Sequence, residues 1–250
     1  MNHFLRRIAK SSLPEVWRGR LRKLLGIHPP KDSDFSGLTN AEIFSAIYRR
    51  HLWGTPGLGQ RSFWSGSGTH DIAISSGYIS DLKAFLMDFP EKPSIADLGC
   101  GDFIMGSNFV SLASKYIACD IFDGVIEENR KIYQGENLEF RVLDLAAGQL
   151  PDVDIIIVRQ VLQHLSNADI EGFVRNISKA CKYLILTEHL PSAPDFPPNL
   201  DKTSGPGVRL QNGSGIVLTS PPFDLKANSA RTLCEFAEHG GVILTVVYAF

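Results

Sequence analysis

Residues 95–103 read Ile95-Ala96-Asp97-Leu98-Gly99-Cys100-Gly101-Asp102-Phe103, an apolar run closed by an acid and followed by two glycines. Lacking a Cβ, glycine reaches positive φ and lets a ligand approach the backbone closely, as a tight strand-to-helix turn requires. In an open parallel sheet, ligands bind at the carboxyl ends of the strands, where such a turn sits. Four more apolar runs follow: Tyr116–Asp120, Phe140–Asp144, Asp154–Val158 and Tyr183–Thr187. Stretches of helical length, 106–115, 123–133 and 167–181, lie between them. Buried strands alternating with helices specify an α/β protein with a parallel sheet. Thr232–Phe236 and Val242–Tyr248, joined by His239-Gly240-Gly241, predict an antiparallel hairpin that closes it.

Upstream, residues 1–25 read as a helix broken near Pro14, with Leu13, Trp17, Leu21 and Leu25 on one side. Further helices are expected over Asn40–His51 and near Tyr78–Phe89, separated by the Gly/Ser-rich run Ser65–Thr69. Residues 1–90 are therefore a helical extension and cover, and 91–250 the sheet domain. Residues 190–223, rich in Pro, Gly and Ser, break the rhythm and are expected to form a lid over a substrate, since loops this long are usually functional.

With 44% hydrophobic and 21% charged residues, wholesale disorder and coiled coil are excluded. The four cysteines lie far apart without a CxxC pair, which argues against a disulfide framework or zinc site and fits a reducing compartment. No apolar run approaches the ~20 residues of a membrane span. A cytoplasmic protein is expected. Residues 1–25 hold seven basic side chains against Glu15 alone, a charge of +6, while the remaining residues hold 18 basic and 26 acidic, a charge of −8. So acidic a body is poorly suited to nucleic acid, whose phosphates need clustered Lys and Arg.

Two cofactor classes compete for the glycine turn. A dinucleotide fingerprint needs GxGxxG, yet the residue five after Gly99 is Ile104. Instead, acids recur at strand ends: Asp97, Asp120 and Asp144. With the terminal hairpin, this set resembles the class I S-adenosylmethionine (SAM)-dependent methyltransferases over about residues 93–250. The resemblance implies a Rossmann-like sheet of five parallel strands plus an antiparallel hairpin, helices on both faces, and an N-terminal helical extension. It implies that Asp97, Gly99, Cys100, Gly101 and Phe103 form the turn around the methionine and ribose of SAM. Asp120 and Ile121 would meet the ribose, and Asp144 and Leu145 the adenine. Arg159 and Gln160, at the exit of the fourth strand, would border the cofactor, and Ser65 and Gly66 could offer backbone N–H groups to its carboxylate.

The run Arg159–Ser166 contains His164, a candidate general base because an imidazole titrates near neutrality. Arg209 and Asn212 in the lid are candidate substrate contacts. No carboxylate cluster has metal-ligand spacing, so metal independence is expected. The expected reaction is O-methylation of a small molecule or sugar/glycan precursor. Alternatives are N-methylation of a base or amine, and an interaction domain without catalysis. Ile104-Met105 stands where relatives carry an aromatic, and Gln160 where Asp is common; both departures bear on the substrate. Ser220-Pro221-Pro222-Phe223 matches the signature that grips a flipped base, but it follows the fifth strand rather than the fourth. The basic arm, with Trp17 and its leucine stripe, fits peripheral contact with the anionic inner face of a membrane.

Overall fold

The computed structural model describes residues 30–55, 61–70, 72–238 and 240–250. The helix expected over residues 1–25 lies outside them. Seven strands form one sheet: β1 (Ser94–Leu98), β2 (Lys115–Asp120), β3 (Leu138–Val142), β4 (Val153–Arg159), β5 (Cys181–Pro191), β6 (Ser229–Glu238) and β7 (Gly241–Ala249). Their order is β3-β2-β1-β4-β5-β7-β6. The first five run parallel, and β7 pairs antiparallel with both β5 and β6. This is the expected Rossmann-like sheet with its terminal hairpin. The order reverses between β1 and β4, and that switch point opens a crevice at their carboxyl ends.

Alternate residues of the strands feed two cores. Ile95, Tyr116, Ile155 and Ile157 pack with Leu82 of helix α2 (Ile72–Met87) and with Val125 and Ile126 of helix α3 (Asp123–Ile132). Ala96, Leu98, Ile156 and Val158 face helix α1 (Asn40–Arg49), through Ile43 and Ile47, and helix α4 (Asn167–Ala180), through Ile170, Phe173 and Ile177. Continuous apolar runs were needed because both faces are covered. Thr39 caps α1 reciprocally: its hydroxyl accepts from Glu42 N, and the Glu42 carboxylate accepts from Thr39 N at 2.8 Å. Among the described residues, no helix is long and apolar enough to cross a membrane.

Two segments depart from expectation. Residues 106–115 form only two 3₁₀ turns, Gly106–Asn108 and Val110–Leu112. The Asn108 side-chain amide donates to the Ile104 and Met105 carbonyls, competing with the α-helical ladder. Residues 192–228 are a packed wall more than a flap. Ile216, Leu218 and Phe223 are buried in the core, and the Asn199 amide binds the carbonyls of Val217 and Pro221, each at 2.9 Å.

Candidate active site

The turn after β1 is bent by Gly99 (φ +81°), Gly101 (φ +55°) and Phe103 (φ +61°). The Gly99 and Cys100 amides both donate to the Cys119 carbonyl at 2.8 Å, which ties the turn to the end of β2. Gly101 N–H donates to the Asp120 carboxylate at 3.1 Å, and Phe122 N–H to its other oxygen at 3.0 Å. The Asn129 amide of α3 holds the Gly101 carbonyl at 2.7 Å. A Cβ at Gly101 would collide with the Ser65 side chain, whose hydroxyl accepts from Asp102 N at 2.6 Å. Segment 61–70 is pinned across the turn in this way, helped by His70 against the Asp102 carboxylate at 2.8 Å.

These elements floor a cavity of about 520 Å³. Asp97, Asp120 and Asp144 reach it from the ends of three strands. Asp97 is buried and accepts the Tyr116 hydroxyl at 3.1 Å; burial pushes its carboxyl up to about 7. Burial likewise raises Asp120 to about 6, against the lowering effect of the amides it accepts. Asp97, a buried carboxyl with a single side-chain donor, suits a ligand that brings positive charge, and Asp120 beside it, already holding two amides, has lone pairs left for hydroxyls. The glycines are needed for packing within the site: a Cβ would collide with Val161 at Gly99, with Ser65 at Gly101, and with Phe103 and the Asp97 carboxylate at Gly106. Asp144 caps Ala146 N at 2.9 Å and lines the cavity beside Leu145.

The opposite wall comes from the exit of β4. Arg159 lies over the Tyr78 ring, 5.1 Å from its centroid, and donates to the Gly68 carbonyl at 2.8 Å. Gln160 takes a positive φ of 54°. His164 ends the 3₁₀ turn Leu162–His164, its ring tilted against Trp53 with centroids 4.9 Å apart. Its Nδ1 lies 3.2 Å from the Gly207 carbonyl. A carbonyl only accepts, so Nδ1 carries the proton and Nε2 the lone pair. Burial, then the nearby Lys202 ammonium, hold the imidazole down at about 4, so it is neutral at pH 7. The two amides of Leu162 and Gln163 donate to the buried Glu188 carboxylate, which fixes this turn from below.

Most of the expected site residues therefore border one cavity: Asp97, Gly99, Cys100, Gly101, Asp120, Ile121, Asp144, Leu145, Arg159, Gln160, His164, Ser65 and Gly66. Three do not. Phe103 points into the core, packing edge-on with Tyr116, Tyr133 and Phe140. Arg209 is buried inside the 192–228 wall, where it donates to the carbonyls of Leu200 and Leu165. Asn212, at the end of the turn Arg209–Asn212, also lies off the cavity. Pro206, Val208, Leu210 and Gln211 face it instead. Sequence reasoning missed Phe44, Tyr48 and Trp53, which close the cavity from α1 and its exit. The apolar spacing of α1 hinted at Phe44 and Tyr48, whereas Trp53 lies beyond the helix. Among the described residues, no three His, Cys, Asp or Glu side chains gather to hold a metal ion.

Residues 96–183 match a family described as a methyltransferase domain. No curated protein matches the chain in sequence. Solved structures resemble it in fold. Magnesium protoporphyrin IX methyltransferase from Synechocystis, solved with bound SAM, is 17% identical; the match covers 86% of this chain and 99% of that one, with a TM-score of 0.52. The N-methyltransferase NodS from Bradyrhizobium japonicum, in complex with S-adenosylhomocysteine, is 13% identical over 70% of this chain and 86% of its own, with a TM-score of 0.52. YcgJ from Bacillus subtilis is 20% identical over 45% of this chain, with a TM-score of 0.40, and only 51% of its length is spanned. Two further similar structures are spanned over 55% and 62% of their length.

Proposed function

We propose that this chain, which belongs to the class I SAM-dependent methyltransferase superfamily, moves the methyl group of SAM to a hydroxyl of a small molecule or sugar precursor. One observation carries this reading: the glycine turn and three strand-end acids share a single cavity with a neutral His164. SAM supplies the difficult chemistry, an electrophilic methyl on a sulfonium. Asp120 accepts the ribose hydroxyls, Asp144 and Leu145 meet the adenine, and Asp97 faces the cationic methionine end. Ser65 and Gly66 hold the carboxylate side, with Arg159 and Gln160 beyond them.

His164 receives the acceptor's proton. As the O–CH₃ bond forms and the C–S bond breaks, the electron pair stays on sulfur and the hydroxyl proton becomes strongly acidic. A weakly basic imidazole therefore suffices, provided its Nε2 is bare and placed. Trp53 and the wall residues Pro206, Val208, Leu210 and Gln211 exclude water and align oxygen, carbon and sulfur. The basic residues 1–25 bring the enzyme to the anionic cytoplasmic face of a membrane, where a lipid-linked acceptor would lie.

Methyl-tritiated SAM incubated with a panel of sugars, phenols and amines tests the reading. Label is expected in O-methyl products, with S-adenosylhomocysteine formed in equal amount. Label confined to nitrogen overturns the O-directed assignment, and no binding of SAM by calorimetry overturns the cofactor site.

A further inference from the structure

We infer that Asp32, far away in the chain, fixes which nitrogen of the His164 ring carries the proton, and so acts as a positioning residue for it. Asp32 begins the short turn Asp32–Phe35 and belongs to no motif. One of its carboxylate oxygens accepts Gly207 N–H at 2.9 Å. The other pairs with the Lys202 ammonium at 3.2 Å, a cation whose side chain is only 4% exposed. The fit is close: a Cβ on Gly207 would lie 3.0 Å from that second oxygen, and one on Gly205 would collide with the carboxylate. The two glycines are what let the acid seat itself there.

The segment that Asp32 anchors is the one that grips His164. Gly205 N–H donates to the His164 carbonyl at 3.0 Å, and the Gly207 carbonyl accepts from Nδ1 at 3.2 Å. Lys202, held by Asp32, also reaches the His164 carbonyl at 3.4 Å. Main chain and ring are thus both held by residues 202–207. The partner of one imidazole nitrogen decides the protonation of the other. A free histidine side chain prefers its proton on Nε2, the wrong nitrogen for taking a proton from an acceptor in the cavity. The Gly207 carbonyl reverses that preference, and Asp32 keeps the carbonyl in place. The logic is that of a carboxylate orienting a catalytic imidazole, with a glycine interposed.

This inference rests on the reading of His164 as proton acceptor, but it can be tested without any acceptor. The ¹⁵N shifts of the His164 ring in the full chain at pH 7 report the tautomer directly. The wild type is expected to show the Nδ1–H form. Asp32→Ala should convert most of the population to Nε2–H, while Asp32→Asn, which keeps an oxygen for Gly207 N–H, should retain Nδ1–H. Calorimetry with S-adenosylhomocysteine should give affinities within about twofold in all three, since the cofactor floor is untouched. An unchanged tautomer in folded Asp32→Ala overturns the inference. Should that variant not fold, Asp32→Leu, of similar shape and without an acceptor for Gly207 N–H, answers the same question. A His164→Ala protein that methylates at full rate overturns the proton-acceptor reading alone, so the two failures are distinguishable.

Discussion

Asp120→Asn should make the stability difference from wild type depend on pH while weakening cofactor binding, and the structure sets the size of both. Burial raises this carboxyl from 3.8 to about 6. Ionising it in the folded chain is therefore harder than in the unfolded chain, by two decades at about 1.4 kcal/mol each, or about 3 kcal/mol. A group whose folded value is raised contributes stability below its unfolded value and loses it as pH climbs through the folded one. The window runs from about pH 4 to about pH 6. Asparagine carries no such charge. Its amide also leaves one of the two donors, Gly101 N–H or Phe122 N–H, without an acceptor, costing about 1–3 kcal/mol at every pH. The variant should thus be less stable than wild type at pH 4 and level with it or better at pH 7.5. Urea unfolding of the ligand-free protein at both values gives the difference, expected to swing by about 3 kcal/mol, or roughly 6–12 °C in Tm. The same variant should bind S-adenosylhomocysteine about 1–3 kcal/mol more weakly, roughly 5- to 150-fold in Kd. A stability difference that is flat across pH refutes the burial argument. Unchanged affinity refutes the ribose assignment.

Further outcomes are expected. His164→Ala should lower kcat by 10²-fold or more with SAM affinity preserved; a loss under about fivefold, measured by methyl label transfer, makes the residue structural. Gly101→Ala places a Cβ against Ser65 at φ +55°, so the turn must shift. It should weaken S-adenosylhomocysteine binding at least tenfold by calorimetry, and wild-type affinity would show that the turn's shape is dispensable. Co-sedimentation with anionic liposomes at low salt should capture the full chain and release it at high salt, whereas a chain lacking residues 1–25 should stay in solution; equal capture of both removes the arm's role.

The sheet was legible because its signals are local. Asp97, Asp120 and Asp144 each end an apolar run, and the glycines of the first turn lie within two residues of each other. Helix α4 was legible too, being capped by Ser166, whose hydroxyl accepts from Asp169 N at 3.2 Å. The segment 106–115 misled because its apolar spacing suits a helix while Asn108 takes the carbonyls a helix would need. The walls of the cavity were the least legible part. Trp53 donates to the Pro206 carbonyl across 153 residues, and Asp32 meets Gly207 across 175. No spacing within the chain announces such pairings. Arg209 was an attractive substrate contact by charge alone, yet two buried carbonyls claim its guanidinium.

The wall of residues 192–228 has a consequence for how this protein can change. Its shape is set from behind, by Asn199, Ser214 and Arg209 binding carbonyls of the protein's own chain. Of its cavity-facing residues, Pro206 holds Trp53 through its carbonyl, whereas the side chains of Val208, Leu210 and Gln211 are not among those supports. Selection can therefore exchange the side chains that meet an acceptor while the scaffold presenting them, and the glycine turn across the cavity, stay as they are. New specificities would arise by editing three neighbouring codons, and a saturation library over those positions is the economical place to look for them.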